Sequence, residues 1–332
     1  MRQLTQLLLI ILVIASYSCK ETTPTGDNNN SDSTKIVDTL KADSSWKKLP
    51  LNINSIRGVA TSGTTIYAAG IGTGAWVSTN KGQNWTSMGL KDTVIYTISE
   101  GGQFLGTQNF GAYLNVSNTS WKNSSNGLAP KGTSPRVYAF YQSGNKIFAC
   151  TRSGLFLSTN SGLLWLKVAG GIPDIELTSI TGIGGVIYLG TYGDGIYKSQ
   201  DDGVNWSKST PNTFSNLLVR GLSSDANNNV YAACDSQKVL KSSDQGNSWS
   251  VLNSGFPYQA AASSVLSTGD LLIIGTDDQG FFRWNPSSSL SQNRWIAYNK
   301  STTTTKIFDL KMLNTGEIIA GTDDGVFINK FK

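Results

Sequence analysis

The chain has 332 residues, a formal net charge of +5 and no histidine. A chain of this length can bury a large core, but the missing histidine excludes serine-type catalytic triads and histidine-ligated metals. The positive charge is spread along the chain without a Lys/Arg run, so we expect no nucleic-acid partner. We also expect no metal and no cofactor. Glycine is abundant, and helix-period patterns are missing after residue 43, which favours many short strands joined by turns.

The N-terminal end has the layout of a bacterial export signal. Arg2 precedes an apolar run at residues 7–15, and small residues lead up to Cys19. The run is too short to span a membrane comfortably. The segment resembles a lipoprotein signal, which implies a signal peptide at residues 1–18 and lipidation of Cys19. Cleavage by the ordinary signal peptidase, without lipid, is the alternative.

The next segment, residues 19–42, is polar and lacks a core pattern, so it is typical of a flexible tether. We therefore expect an exported protein of the bacterial cell envelope, held by lipid to the outer membrane and facing either the periplasm or the surface. The folded domain is predicted to span residues 43–332.

One eight-residue frame, Ser-x-Asp/Asn-x-Gly-x-x-Trp, occurs four times between short apolar runs. This pattern predicts a tight hairpin in which the Asp or Asn side chain accepts backbone N–H bonds and the glycine adopts positive φ. The tryptophan is predicted to begin the return strand and to pack against the neighbouring sheet. The frames comprise Ser78, Asn80, Gly82 and Trp85; Ser158, Asn160, Gly162 and Trp165; Ser199, Asp201, Gly203 and Trp206; and Ser242, Asp244, Gly246 and Trp249.

These frames belong to a longer repeat whose tryptophans recur every 36 to 46 residues, the period of a four-stranded propeller blade. The copies at Trp121 and Trp295 have altered frames. A seventh repeat begins near Lys306 but ends at Lys332 without a frame or a fourth strand. The segment around Trp46 resembles the missing strand, so it is predicted to close the last blade and protect the sheet edges.

We therefore predict an all-β protein: a single seven-bladed β-propeller of four-stranded antiparallel blades, and a monomer. Cys150 and Cys234 lie at the same place in their repeats but two repeats apart. This spacing argues against a disulfide, and we expect two buried apolar side chains.

The frame resembles the Asp-box (BNR) repeat of sialidases, xyloglucan-degrading endoglucanases and sortilin-type receptors. The sequence of the longer repeat around the frame is most similar to that of propellers of the photosystem II stability/assembly factor type. The resemblance covers nearly all of residues 44–332 and implies the propeller fold. It also implies that the boxes lie on the face away from the usual active site, so function has to be sought on the other face.

That other face collects the first residues of each inner strand and the loops between second and third strands. Paired aspartates in these loops also fit turn formers that satisfy their own backbone. The candidate binding residues at the mouth of the central channel are Arg57, Tyr138, Arg152, Glu176, Tyr192, Arg220, Asp235, Asp277, Asp309 and Asp323.

Two functions stay open at this point: a non-catalytic propeller that binds a protein or glycan, and a glycoside hydrolase. Resemblance to sialidases implies an arginine cluster and a tyrosine nucleophile activated by a glutamate, yet the Phe/Tyr-Arg-Ile-Pro signature is absent. Glu100 and Glu317 are predicted on the wrong face, and Arg283 and Arg294 on outer strands. Endoglucanases of the two-aspartate kind pair two propellers around a cleft, and this chain has one. The non-catalytic interpretation is favoured.

Overall fold

The computed structural model describes residues 46–117, 120–128, 135–210, 214, 216–235, 238–253, 255–257, 260–269, 271–286, 294–298 and 306–330. These ranges contain 28 β-strands and one 3₁₀ turn at Glu100–Gly102. The strands form seven antiparallel sheets of four strands each. The predicted all-β, seven-bladed propeller is confirmed.

Each of the first six blades is a meander of four consecutive strands, with the first strand innermost. The first three blades are β2 (Ile56–Ser62), β3 (Thr65–Gly70), β4 (Gly74–Ser78) and β5 (Thr86–Gly89); β6 (Ile95–Ile98), β7 (Phe104–Thr107), β8 (Ala112–Ser117) and β9 (Ser120–Asn123); and β10 (Val137–Ser143), β11 (Lys146–Thr151), β12 (Gly154–Ser158) and β13 (Leu166–Lys167). Blades 4 to 6 are β14 (Leu177–Ile183), β15 (Val186–Thr191), β16 (Ile196–Ser199) and β17 (Ser207–Lys208); β18 (Val219–Ser224), β19 (Val230–Cys234), β20 (Lys238–Ser242) and β21 (Ser250–Val251); and β22 (Ala262–Ser267), β23 (Leu272–Thr276), β24 (Phe281–Trp284) and β25 (Trp295–Ala297).

The seventh blade takes strands from both ends of the described chain. It comprises β26 (Ile307–Met312), β27 (Glu317–Thr322), β28 (Gly325–Lys330) and, at its outer edge, β1 (Lys47–Lys48). Trp46 is 1% exposed, stacks on Phe281 of blade 6 with ring centroids 3.9 Å apart, and donates its indole N–H to the carbonyl of Tyr298 at 2.9 Å. The predicted closure through Trp46 is confirmed.

The hydrophobic core lies between blades, in seven separate clusters. In one of them Phe148 and Cys150 of blade 3 pack with Leu189 and Trp206 of blade 4. Each sheet therefore buries both faces only when its two neighbours are present, which is why the apolar alternation of a single repeat cannot form a stable unit alone.

The four Ser-x-Asp/Asn-x-Gly-x-x-Trp frames, called Asp-boxes below for their resemblance, share one hydrogen-bond pattern. In the last of them Ser242 Oγ donates to Asp244 Oδ1 at 2.8 Å and accepts from Gly246 N at 2.9 Å, while Ser248 N donates to Asp244 Oδ1 at 2.9 Å. The hydrogen bonds from Ser248 lower the pKa of Asp244 to about 2. The box glycines have φ between 73° and 84°, as predicted, but the residue before each one is also left-handed, with φ of 55° to 58°. All four box tryptophans precede the return strand by one residue rather than beginning it.

Each box glycine lies against the blade before its own. A Cβ on Gly203 would come within 2.5 Å of the Phe148 ring of blade 3, and one on Gly162 within 2.5 Å of the Phe104 ring of blade 2. Gly82 meets Leu49 beyond β1, and Gly246 meets the Ser209 hydroxyl. The boxes are thus inter-blade contacts as well as turns.

Cys150 and Cys234 are buried and free, as expected, and burial raises the pKa of Cys234 to about 12. The predicted signal peptide, the tether and Cys19 lie outside the described residues. Within the described part of the chain, no helix has the length and apolar character needed to cross a membrane.

Replacing a box glycine should separate packing from backbone strain. Gly203 and Gly185 both have left-handed φ, 84° and 80°, but only Gly203 faces a neighbouring blade, whereas a Cβ on Gly185 would meet nothing within 4 Å. We expect Gly185→Ala to lower the free energy of unfolding by about 1 kcal/mol through strain alone, and Gly203→Ala by about 2–4 kcal/mol because overlap with Phe148 is added. Urea unfolding measures both, and equal losses would contradict the inter-blade role.

Candidate binding site at the channel mouth

A β-bulge occurs at the start of every innermost strand. In all seven blades the pairing of the first strand with the second shifts between its first and third residues, for example between Ile56 and Gly58. The second residue is therefore left out of the ladder, and a bulge of this kind re-aims its side chain. These seven side chains, called here the mouth ring, are Arg57, Tyr96, Tyr138, Thr178, Arg220, Ser263 and Phe308, and all of them line one cavity of about 450 Å³.

Loop residues complete the wall of this cavity. They are Glu176, Tyr192, Leu218, Asp235, Asp277 and Lys306. Of the candidate binding residues, the structure therefore brings together Arg57, Tyr138, Glu176, Tyr192, Arg220, Asp235 and Asp277. It leaves Arg152, Asp309 and Asp323 outside the cavity wall.

Asp309 follows the ring position by one residue, and Phe308 occupies that position instead. Asp309 pairs with Gly321, lines the channel beneath the mouth, and accepts a hydrogen bond from Val59 N at 3.1 Å. Asp309 was selected from the sequence because it is polar, although Phe308 is the second residue of its strand, the position that Arg57, Tyr138 and Arg220 hold in theirs. Tyr96, Thr178 and Ser263 hold the same position and were missed, and this shared position is the signal that could have found them.

Buried threonines close these loops. Thr276 is fully buried; its hydroxyl donates to the Gly280 carbonyl at 2.9 Å and accepts from Gln279 N at 3.0 Å. Equivalent threonines act in the same way at Thr107, Thr151, Thr191 and Thr322. Asp277 contributes its carboxylate to the cavity wall, with Oδ2 3.3 Å from Arg220 Nη1.

Arg220 is held by two carboxylates from neighbouring loops. Its guanidinium hydrogen-bonds to Asp235, with Nη2 3.3 Å from Oδ2, and its Nη1 lies 3.3 Å from Asp277 Oδ2. Burial works against the charge, yet the hydrogen bond to Asp235 and the field of both carboxylates raise the pKa of Arg220. This side of the mouth is internally neutralised.

Arg57 has a different environment across the ring. Its Cζ lies 4.4 Å from the Phe308 ring centroid and 5.7 Å from that of Tyr96. Within the described residues, no carboxylate lies within 4 Å of its guanidinium and its buried Nε has no hydrogen-bond acceptor. Burial accordingly lowers the pKa of Arg57.

Tyr138 lies between an arginine and a glutamate. Arg136 Nη1 donates to its hydroxyl at 3.2 Å, and Glu176 lines the same cavity wall. Burial, together with Glu176, raises the pKa of Tyr138 to about 12. The phenol is therefore protonated at neutral pH, as an unperturbed tyrosine is.

The other charged candidates lie away from the mouth, as predicted. Glu317 bonds Lys81 of the first Asp-box at 3.0 Å, and Arg283 lies on β24. Glu100 borders a larger cavity, about 710 Å³, at the opposite end of the channel, where it is the single charged side chain of the described lining. The mouth combines cations, carboxylates and aromatic rings in one place, so it is the better candidate site despite its smaller volume. No group of three possible metal ligands occurs among the described residues.

Comparison with known proteins extends these observations. Residues 133–321, more than half of the chain, match the family described as the DUF6242 beta propeller domain. A search of curated protein sequences found no significant match.

Solved structures with the same fold share 18% identity or less with the chain among those compared here. The extracellular domain of a protein from B. thetaiotaomicron, described as a hybrid two component system, has a TM-score of 0.66 and 17% identity over 86% of this chain, which spans 39% of that one. YCF48 bound to D1 peptide has a TM-score of 0.63 and 12% identity over 87% of this chain and 97% of its own. An ancestral GH74 enzyme has a TM-score of 0.64 and 17% identity, covering 86% of this chain and 46% of that one. Likeness at these identities establishes the fold alone.

Proposed function

The chain belongs to the DUF6242 beta propeller domain family, and we propose that this member is a non-catalytic binding protein whose channel mouth takes a segment of a protein partner. The observation that carries the proposal is the ring of seven bulges, which aims one side chain from each blade into a single open cavity. A cavity that mixes charged and aromatic groups from several blades can recognise a ligand from many directions at once.

A protein partner is favoured over a glycan by the surface around the mouth. Phe110 and Tyr192, on loops of blades 2 and 4, are 53% and 60% exposed, and Ile71 on a loop of blade 1 is 37% exposed. The described cavity wall contains tyrosine and phenylalanine but no tryptophan, the residue whose broad face often stacks on sugars. YCF48, which shares the fold, has been solved with a peptide bound, and this precedent supports the same mode here.

The tyrosine–glutamate pair at the mouth does not have the features of an activated nucleophile. Resemblance to sialidases implies a tyrosine nucleophile beside a glutamate, and Tyr138 beside Glu176 is the one pair of that kind in the cavity wall. The raised pKa of Tyr138 keeps its proton in place, however, and Arg220 is already engaged by Asp235 and Asp277. A glycoside hydrolase would need an activated nucleophile and a free acid.

We expect no hydrolysis of a fluorogenic sialoside or of xyloglucan by the purified chain, because the phenol of Tyr138 is not activated. Release of the fluorophore or of reducing sugar over hours is the measurement. Glu176→Gln and Tyr138→Phe are the controls for contaminating activity. Turnover by the parent that both variants lose would overturn the non-catalytic proposal.

The cell-envelope location is also proposed. Its support is the export-type N-terminal sequence with Cys19 and the shared fold of an extracellular bacterial domain. Mass spectrometry of the protein from native membranes should show a mature N-terminus at Cys19 carrying lipid. An unmodified Cys19, or a full-length chain in the cytoplasm, would contradict it.

Binding at the mouth can be tested with peptides. A phage-displayed dodecapeptide library is panned against the purified chain, and the recovered sequences are titrated as synthetic peptides by fluorescence anisotropy. Tyr192→Ala combined with Phe110→Ala should weaken binding by about tenfold, because two exposed rings at the mouth are lost.

The matched control lies on the Asp-box face. Leu163 and Leu166 are 62% and 64% exposed there, so Leu163→Ala combined with Leu166→Ala removes similar apolar surface away from the mouth. This control should bind the peptides like the parent. Equal loss in both double variants, or no peptide enrichment at all, would contradict a peptide site at the mouth.

A further inference from the structure

The mouth ring contains two arginines in equivalent positions, and only one of them is neutralised by the protein. Arg57 and Arg220 are both the second residue of an innermost strand. Arg220 is bonded to Asp235 and Asp277, whereas no described carboxylate lies within 4 Å of the Arg57 guanidinium. A half-buried charge without a nearby counter-charge is unfavourable, so an anionic group of a ligand would be stabilised beside Arg57.

The packing around Arg57 determines which edge of its guanidinium a ligand could contact. Phe308 covers the guanidinium at 4.4 Å from its ring centroid, and the Tyr96 ring lies at 5.7 Å. Aromatic faces accommodate a guanidinium along its flat side, and because Arg57 Nε is buried, a planar acceptor would meet the edge formed by Nη1 and Nη2. A carboxylate matches this edge, because its two oxygens can accept two parallel N–H bonds.

A second guanidinium reinforces the positive field on this side. Arg136 Cζ also lies 5.7 Å from the Tyr96 centroid, and its buried Nε has no hydrogen-bond partner among the described residues. The carboxylates of the wall, Glu176, Asp235 and Asp277, come from loops of blades 4 to 6, and the attraction of Asp277 does not offset burial, which keeps the pKa of Arg57 lowered. The field therefore orients an anionic group toward blades 1 and 2 and away from blades 4 to 6.

The charges in the wall also limit the charge of the ligand. The cavity wall itself carries three cations, Arg57, Arg220 and Lys306, and three anions, Glu176, Asp235 and Asp277, whereas Arg136 lies beside Tyr96 but is not part of this wall. A group with two negative charges, such as a phosphate monoester, would face three carboxylates across a small cavity. A single negative charge on the Arg57 side meets one guanidinium edge and little repulsion.

We propose that the partner segment presents one carboxylate, from an aspartate, a glutamate or a C-terminus, which Arg57 binds edge-on at the mouth beside Tyr96. The inference rests on the proposed function, because it names the chemical group that the peptide site selects. Apolar side chains of the same segment would lie over the exposed rim. Phe110 is close to this end, since Tyr96 donates to Gln108 Oε1 at 3.2 Å and Phe110 follows in the same loop.

Two probes test the carboxylate independently of each other. The first is benzoate, with neutral benzamide as its isostere, titrated into the chain with ¹⁵N-labelled arginine. The Nε–H resonance of Arg57 should shift with benzoate and not with benzamide. The second probe is the set of panned dodecapeptides, each synthesised with its acidic group intact and with that group converted to the amide.

The variants distinguish charge from geometry. Arg57→Gln should weaken the binding of the acidic peptides by about tenfold or more. Conversion of the peptide carboxylate to the amide should then cause no further loss of affinity, because both changes remove the same interaction. Arg57→Lys keeps the charge but not the two parallel bonds, so its affinity should fall between the parent and Arg57→Gln. Lys122→Gln removes an exposed cation from β9, outside the mouth, and should bind like the parent. Thermal unfolding of each variant confirms that the fold is retained.

The outcomes separate this inference from the proposed function. Peptides that bind at the mouth but tolerate both amide conversion and Arg57→Gln would overturn the carboxylate and leave the peptide site intact. Benzoate binding at Arg57 without any mouth-dependent peptide binding would overturn the peptide function and retain the anion site. Failure of both probes would overturn both.

Discussion

Contact between successive blades is the constraint on which the structure depends. Each sheet buries its two faces in clusters shared with its neighbours, and the glycine of each Asp-box lies against a side chain of the preceding blade. Such an array is stable only if no blade is left with an open face. Trp46 therefore matters beyond its own size: it joins blade 7 through β1, and its ring stacks on Phe281 of blade 6. The segment that closes the ring therefore also packs blades 6 and 7 together.

The same circular arrangement makes the candidate site at the mouth. Seven first strands run alongside one another around the axis, so any feature repeated at their starts forms a ring. The repeated feature is a bulge, which releases one residue per blade from the ladder and directs it at the cavity. The bulge thus fixes where this residue lies in every blade, whereas the type of residue can vary. Arginine, tyrosine, threonine, serine and phenylalanine all occur there without altering the blade beneath.

Electrostatic pairing decides what these positions can do. Arg220 is held by carboxylates of two adjacent loops, and Tyr138 keeps its proton between Arg136 and Glu176. These groups are satisfied within the protein and are poorly suited to chemistry. Arg57 stands apart, since aromatic rings rather than carboxylates surround it. Recognition of one anion, rather than bond cleavage, is the behaviour that this combination supports best.

Much of the fold followed from the sequence alone, because it depends on local, repeated chemistry. The spacing of the tryptophans determined seven blades, the Ser-x-Asp/Asn-x-Gly frame determined the turn, and the strand-like segment at Trp46 determined the closure. The residues that line the mouth could be predicted only in part from the sequence. Arg57, Tyr138 and Arg220 were identified, but Asp309 was chosen in place of its neighbour Phe308, because nothing in the sequence shows that an apolar residue at a strand start faces a cavity rather than the core. The partners of each charge were decided by the tertiary structure alone: Arg57 and Arg220 are equivalent in sequence, and only the loops that neighbouring blades bring to them determine which one is left without a carboxylate.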